Sequence, residues 1–208
     1  MKLYITAKAP NPRRVTMFVA EKAITQVALV SLDLQQGEHK TAAMLAKSPL
    51  AQLPVLELDD GRALTESRAI CSYLEGLVPE PNLMGRGFEE HAFIEMADRR
   101  VELSIGLAII QAVRHSHPAL APLEQPQIEP LARVQAERMR SHARLYDELL
   151  GRQAWVAGDR FTVADITLYC MLEFAKGLLR YVPGDEGLAH LQAWRDRMAE
   201  RPSAVSTR

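Results

Sequence analysis

The sequence has 208 residues, of which 48% are hydrophobic and 25% are charged, and its formal net charge is −1 at pH 7. That length fits one large domain or two small ones, and the near-neutral charge gives no general attraction to nucleic acid. No apolar run approaches the roughly 18 residues that a membrane-spanning helix needs, so we expect no membrane association. Cys71 and Cys170 lie far apart in apolar helical patterns without metal-ligand spacing, which predicts two reduced thiols, no bound metal and a cytoplasmic protein.

The first eighty residues alternate between strand and helix patterns. Asn11-Pro12 marks the start of the first helix, since Asn is a favoured N-cap and Pro suits the first helical turn. A strand, a helix and a strand within about 30 residues form a βαβ unit. The order βαβαββα predicts a thioredoxin-like α/β domain. Its predicted elements are strands at 2–6 and 27–32, a helix from residue 11, a short helix at 40–47, a hairpin at 54–64 and a helix at 65–77.

Residues 48–74 carry the clearest functional signal. Pro54 stands at the start of an apolar run, where a strand tolerates proline. If the Leu53–Pro54 bond is cis, the backbone N–H and C=O of Leu53 turn outward and could pair with an extended ligand as an added strand does, whereas a trans proline would simply begin the strand. The helix start at Glu66-Ser67 offers free N–H groups to a carboxylate, and the Glu66 carboxylate could meet an ammonium. The stretch predicts a peptide-like ligand with one zwitterionic end, unless Glu66 and Ser67 only stabilise their own helix start.

The order Leu-Pro-Val, hairpin turn, Glu-Ser and Ile-x-x-Tyr-Leu in this stretch resembles the glutathione-binding half of the glutathione transferase family. The resemblance implies glutathione as the cosubstrate, no metal, a small electrophilic, disulfide or peroxide second substrate, and a homodimer. In theta-like members, basic or amide groups that hold the glycyl carboxylate of glutathione match two further positions. The resemblance therefore implies glutathione contacts from Leu53, Pro54, Glu66, Ser67, His39 and Gln52.

The loop before the first helix is where this family holds the residue that activates the glutathione thiol. Its usual Ser position falls on Ala9, which has no hydroxyl, so the mechanism of the serine-bearing members does not carry over. Asn11 resembles an Asn of the nu-like members that contacts the glutathione sulfur. Lowering a thiol pKa by about two units takes about 2.7 kcal/mol, and a hydrogen bond to a charged group supplies about 1.5–3 kcal/mol. Asn11 is therefore the candidate catalytic residue, and a helix-capping role alone is the alternative.

The second half of the chain carries only helical patterns. Long helices are predicted at 88–113 and 128–150, and Thr162 with Asp165 three residues later forms a capping box that begins another. The Gly-Asp-x-Phe-Thr-x-Ala-Asp run is also typical of the C-terminal domain of glutathione transferases, and we interpret Asp165 as structural. A proline- and glycine-rich break precedes these helices. The predicted domains are a thioredoxin-like domain at 1–78, a linker at 79–86 and an all-helical domain at 87–208.

Three functions fit this combination of motifs. The resemblance implies first a glutathione transferase whose thiolate attacks a small hydrophobic electrophile, chemistry in which the bound cosubstrate supplies the nucleophile. The nu-like loop implies, as an alternative, glutathione-dependent reduction of disulfides or peroxides. The missing hydroxyl at Ala9 keeps open a third function, a glutathione-binding module with weak catalysis.

Overall fold

A computed structural model describes residues 1–207, which divide into two compact units. The first unit holds residues 1–82 together with 202–207, and the second holds 83–201. The division falls inside the segment 79–86 that the sequence marked as a linker. Residues 202–207 lie with the first unit, whereas the sequence had placed them in the helical domain.

The first unit is built on a mixed four-stranded sheet. Its strands lie in the order β2-β1-β3-β4, with β1 parallel to β2 and antiparallel to β3, and with β3 antiparallel to β4. This topology confirms the predicted thioredoxin-like sheet, although the strands are shorter than predicted. Their bounds are β1 (Lys2–Ile5), β2 (Ala28–Ser31), β3 (Val55–Glu57) and β4 (Ala63–Leu64).

The prediction that Asn11 is the N-cap of the first helix is wrong. Helix α1 (Pro10–Glu21) begins one residue before it, so that Ala9 takes the cap position and Asn11 is the second helical residue. Proline at the first position loses no hydrogen bond, because the N–H groups of the first turn have no partner inside the helix. Asn11 therefore lies inside the first turn and not at the cap position, and its side-chain Oδ1 has no hydrogen-bond partner within residues 1–207.

The next two helices also begin differently from the prediction. The predicted helix at 40–47 is divided into a 3₁₀ turn (Glu38–Lys40) and a short α2 (Ala42–Leu45), separated by an extended residue. Helix α3 (Ser67–Leu77) starts two residues later than predicted. Glu66 before it has a φ of +63°, which a right-handed helix cannot include.

Helices α1 and α3 pack against each other, and a buried ion pair joins their C-terminal ends. The side chain of Lys22 is 0% exposed, and its ammonium lies 2.6 Å from Glu75 Oε2. The same ammonium donates to the Pro81 carbonyl at 2.7 Å, so the buried charge has two oxygen partners. The apolar core around them includes Leu3, Val15, Phe18, Leu56, Ile70 and Leu74.

The second unit is helical, as predicted. The predicted helix at 88–113 is one continuous run in which a π-helical turn interrupts regular α-helix. Gly106 ends that turn, and a side chain there would meet the Val101 carbonyl oxygen at 3.1 Å. The elements of the unit are α4 (Gly87–Val101), the π turn (Glu102–Gly106), α5 (Leu107–Ser116), α6 (Glu129–Leu150), α7 (Val163–Leu179) and α8 (Ala189–Ala199), with 3₁₀ turns at Pro118–Leu120 and Pro183–Glu186.

Helix α7 begins with the predicted capping box. Asp165 is fully buried and accepts hydrogen bonds from the backbone N–H groups of Thr162 and Val156, each at 2.9 Å, and from Trp194 Nε1 at 3.1 Å. Burial raises the pKa of Asp165 to about 6, against the opposing effect of these donors. These hydrogen bonds to the Asp165 carboxylate all come from groups of the protein itself, which supports the structural interpretation of Asp165.

The last helix, α9 (Pro202–Ser206), lies in the first unit against α1. Arg13 Nη2 donates to the Ala204 carbonyl at 3.2 Å, and Ser203 Oγ donates to a carboxylate oxygen of Glu21. These bonds fix α9 along the side of α1. Within residues 1–207, none of the helices is long and apolar enough to cross a membrane.

Candidate functional site

A cleft of about 170 Å³ opens in the first unit at the start of β3, beside the starts of α1 and α3. The structure brings together at this cleft six residues that the sequence had assigned to one site. The cleft is lined by Asn11, Gln52, Leu53, Pro54, Glu66 and Ser67, together with Ser48, Pro49, Leu50 and Thr65. His39 is not among its lining residues.

The backbone at Leu53 forms the open edge of the cleft. The Leu53–Pro54 peptide bond is cis, as the sequence had left open. The pairing of β1 with β3 ends at Tyr4 opposite Val55. Within the described residues 1–207, the Leu53 N–H and C=O have no backbone partner. An extended chain lying along this edge could therefore form strand-like hydrogen bonds with Leu53.

Ser48, which the sequence analysis did not single out, holds the loop that leads to this edge. Its buried hydroxyl donates to the Gln52 carbonyl at 2.9 Å and accepts from the Gln52 N–H at 3.1 Å. Ala51 inside the loop has a φ of +53°, a conformation that needs such support. The exposed side chain of Gln52 is thereby presented at the cleft.

The start of α3 forms the opposite wall. Glu66 is exposed and occupies the N-cap position with a φ of +63° and a ψ of 111°, and it makes no side-chain cap hydrogen bond. Such a conformation costs a non-glycine residue about 1–3 kcal/mol and is concentrated at functional sites. The first N–H groups of α3 have no partner inside the helix and carry the positive end of its dipole. This wall suits a carboxylate, with the Glu66 side chain beside it for an ammonium.

Behind this wall lies Arg14, which the sequence analysis also missed. Its side chain is 0% exposed, and its Nη1 donates to the hydroxyl oxygen of Ser67 at 2.9 Å. The pair lies 53 positions apart in the sequence. Arg13 and Arg14 are adjacent at the start of α1, and the neighbouring residues in the sequence do not show which of the two points inward.

Asn11 lies on the first turn of α1 and contributes its amide to the cleft. Its Oδ1 is buried without a hydrogen-bond partner among residues 1–207. This leaves the NH₂ end of the amide as the group that can donate to a ligand atom. Ala9, at the position of the usual hydroxyl, offers no side-chain donor.

His39 lies in the 3₁₀ turn and is buried, with Nδ1 lacking a partner within residues 1–207. Burial, and to a lesser extent the positive charge of Lys40, lower the pKa of His39. A neutral imidazole holds a carboxylate less strongly than a charged one does. Its predicted contact with the glycyl carboxylate remains a prediction.

The first unit is a thioredoxin-like domain whose cleft offers an open backbone edge and an uncapped helix start to one ligand. The same chain also contains a helical unit. Two family models match the sequence. Residues 9–77 match the model described as glutathione S-transferase, N-terminal domain, and residues 109–202 match glutathione S-transferase, C-terminal domain.

Individual relatives agree with these matches. Glutathione S-transferase 2 of Saccharomyces cerevisiae is 36% identical over 205 residues, covering 98% of this chain and 87% of the yeast protein. Glutathione S-transferase GstA of Escherichia coli O157:H7 is 33% identical over 178 residues, covering 84% of this chain and 81% of its own length. A glutathione S-transferase domain-containing protein of Marinobacter aquaeolei VT8 superposes with a TM-score of 0.92 at 42% identity, covering 98% of this chain and 100% of its own. The chain belongs to the glutathione S-transferase family, whose members are transferase enzymes.

Proposed function

We propose that the cleft binds glutathione and that the enzyme joins the glutathione sulfur to a small hydrophobic electrophile. The observation that carries this proposal is the convergence of the Leu53 edge, the start of α3 and the Asn11 amide on one cleft. Glutathione offers a matching group to each. Its cysteinyl backbone fits the Leu53 edge, and its α-carboxylate and ammonium fit the α3 start and Glu66. Its thiol falls to the side of Asn11.

Ionisation of the thiol is the step that the chain itself assists. The thiol loses its proton to solvent, and the thiolate attacks an electrophilic carbon. A new S–C bond forms while the electron pair of the displaced bond departs with the leaving group. The Asn11 NH₂ group donates to the thiolate, and the start of α1 adds a positive dipole end. His39 and Gln52 are the residues that we assign to the glycyl carboxylate.

Reduction of disulfides or peroxides is the second candidate, because Ala9 replaces the hydroxyl of the serine-bearing members while Asn11 lines the cleft. In this reaction two glutathione thiols are oxidised to glutathione disulfide. A substrate disulfide then gains two electrons and two protons and becomes two thiols, or a hydroperoxide becomes an alcohol and water. We also propose a homodimeric, cytoplasmic enzyme, and its mass in solution by light scattering tests the dimer.

A substrate panel tests the assignment. The purified chain is assayed with glutathione and an aryl halide, an organic hydroperoxide or a small disulfide. Conjugation of the aryl halide is the expected result. Turnover of only the hydroperoxide and the disulfide would replace conjugation with reduction, and glutathione binding without turnover of any substrate would leave a binding module.

A further inference from the structure

A half-buried ion pair joins the two ends of the segment that forms most of the cleft lining. Lys47 lies two residues after α2, and Glu57 is the last residue of β3. Lys47 Nζ is 3.3 Å from Glu57 Oε1, and the two side chains are 24% and 20% exposed. Six of the ten residues that line the cleft lie between them, in the segment 48–54. The ion pair therefore closes the base of the loop from which most of the cleft is built.

Tyr4 on the neighbouring strand holds the Glu57 carboxylate in place. Its hydroxyl donates to Glu57 Oε2 at 2.5 Å, so the two carboxylate oxygens have different partners. Tyr4 and Glu57 lie two positions apart in the register of β1 and β3, which places both side chains on the same face of the sheet. The pKa of Glu57 is lowered, chiefly by the hydrogen bond from Tyr4 and further by Lys47. The carboxylate therefore stays charged at neutral pH.

A second set of hydrogen bonds begins inside the loop, directly after Lys47. The Ser48 hydroxyl donates to the Gln52 carbonyl at 2.9 Å and accepts from the Gln52 N–H at 3.1 Å. The Ala51 N–H donates to the Ser48 carbonyl at 2.8 Å. These bonds place Leu53, which follows directly. A loop that is held at its ends and in its middle needs little further ordering when a ligand binds, and such preorganisation raises affinity.

We propose that Lys47 and Glu57 are positioning residues for glutathione. Their ion pair keeps the loop 48–56 in the conformation that presents Leu53 to the ligand. The inference rests on the proposed binding of glutathione and adds the contact that fixes the shape of its site. Neither residue is among those that line the cleft, so both act through the loop. A partly exposed ion pair contributes little to the stability of the fold, so its loss should weaken binding more than stability.

Calorimetric titration with glutathione measures the effect in Lys47→Met, Glu57→Gln and the double variant. Glutamine keeps an oxygen that can accept from Tyr4, so Glu57→Gln removes the ion pair alone. An ion pair of this exposure corresponds to at most about a fivefold change in an equilibrium constant, so each variant should bind glutathione about two- to fivefold more weakly than the wild type. The double variant should lose no more than either single variant. Lys47→Arg keeps the positive charge and should keep the wild-type affinity.

Lys2→Met is the matched control. Lys2 lies opposite Glu57 in the register of β1 and β3, and its charge also acts on that carboxylate, but it is exposed and lies outside the loop. Its removal should leave the affinity for glutathione at the wild-type value. At saturating electrophile, Lys47→Met should raise the KM for glutathione by the same factor as its dissociation constant and leave kcat unchanged. Hydrogen exchange at the Gln52 amide, which reports opening of the loop, should be faster in Lys47→Met than in Lys2→Met.

Four results would overturn the inference. The first is a Lys47→Met that binds glutathione with wild-type affinity, and the second is a double variant in which the two losses multiply. The third is an equal loss in Lys47→Met and Lys2→Met, since it would make the effect one of general charge. The fourth is a fall of kcat together with the melting temperature, since it would make the pair a support of the fold alone. A wild type that does not bind glutathione overturns the proposed function itself, and the inference with it.

Discussion

The start of helix α7 is closed, in the sense that side chains of the protein cap it, whereas the start of helix α3 is open, in the sense that no side chain caps it. At α7 the Asp165 carboxylate turns inward and accepts from the cap N–H of Thr162, from Val156 and from Trp194. At α3 the Glu66 carboxylate turns outward, and no side chain caps the helix. Both starts pair a threonine with an acidic residue in the sequence. The acidic residue stands at different positions in the two starts, because Asp165 is the third helical residue of α7 and Glu66 is the cap residue of α3. From its position inside the helix, Asp165 reaches back to the cap N–H, whereas Glu66 leaves the first N–H groups of α3 without a side-chain partner.

The start of α1 shares the open arrangement of α3. Ala9 at its cap position has no side-chain hydrogen bond to offer, and Asn11 in its first turn faces the cleft. The two open starts lie at one cleft of the first unit, whereas the closed start lies in the core of the second. Substitutions at the closed start should therefore affect folding, and those at the open starts should affect binding.

The largest effect is expected at the closed start. Asp165→Ala leaves several buried donors without an acceptor and should lower the free energy of unfolding by about 3 kcal/mol or more. Denaturant titration followed by circular dichroism measures the change. Asp159→Ala, in an exposed position on the preceding loop, is the control and should stay within about 0.5 kcal/mol. Equal stability of the two variants would contradict the closed arrangement.

The same residue gives the fold a pH dependence. The pKa of Asp165 is raised from its ordinary 3.8 to about 6, so the native state binds this proton more tightly than the unfolded state does. Its contribution to stability is complete below about pH 4 and is lost as the pH rises through about 6. Asp165→Asn, which does not titrate, should lack this decline. Matching pH profiles of unfolding for the two proteins would refute the raised pKa.

At the open start of α3, substitution should separate binding from stability. Glu66→Ala removes the proposed partner of the ligand ammonium and should weaken glutathione binding at least about tenfold. Glu66→Gly should weaken binding similarly, yet raise the free energy of unfolding by about 1 kcal/mol, because glycine accepts the positive φ. Calorimetry and thermal unfolding measure the two effects. Unchanged affinity in both variants would remove Glu66 from the site.

At the open start of α1, Asn11→Ala should raise the pKa of the bound glutathione thiol by about 1–2 units, since it removes the proposed donor to the thiolate. Thiolate absorbance against pH reports this value. Asn11→Asp has the same size and should raise the pKa further, because its carboxylate repels the thiolate. Stability should change little, since Asn11 caps nothing. A pKa that stays constant across the three proteins would exclude Asn11 from catalysis.

The smallest effect is expected from closing the start of α1. Ala9→Ser adds an N-cap hydroxyl at a residue whose extended backbone already has cap geometry. It should stabilise the protein by about 0.5–1 kcal/mol. Ala9→Val, which lacks the hydroxyl, should give no gain. If thermal unfolding shows serine and valine to be equivalent, the cap position is misassigned.

The sequence predicted those features that depend on local chemistry. The capping box at Thr162, the proline at the start of β3 and the helix start near Glu66-Ser67 each depend on a few neighbouring residues. All three are found, with α3 beginning two residues after the predicted position. The first helix start was misplaced because Asn11 and Pro10 compete for the cap region, and proline at the first helical position decided the outcome.

The missed features depend on contacts between distant parts of the chain. Arg14 meets Ser67 across 53 positions, and α9 returns to α1 across 191 positions through Arg13 and Ala204. Arg14 is buried and Arg13 is not because of how α1 packs on α3. The periodicity of the sequence does not describe this packing. The sequence therefore predicted most of the residues that line the cleft, whereas the buried charge of Arg14 behind it became apparent only from the structure.

We propose that Leu53 and the start of α3 bind one glutathione molecule from two sides. A titration of the isotope-labelled protein with glutathione, followed by the backbone amide resonances of Leu53 and Ser67, measures this directly. We expect both resonances to shift together with a single dissociation constant. If glutathione shifts resonances elsewhere and leaves those two unmoved, the proposed binding mode is wrong.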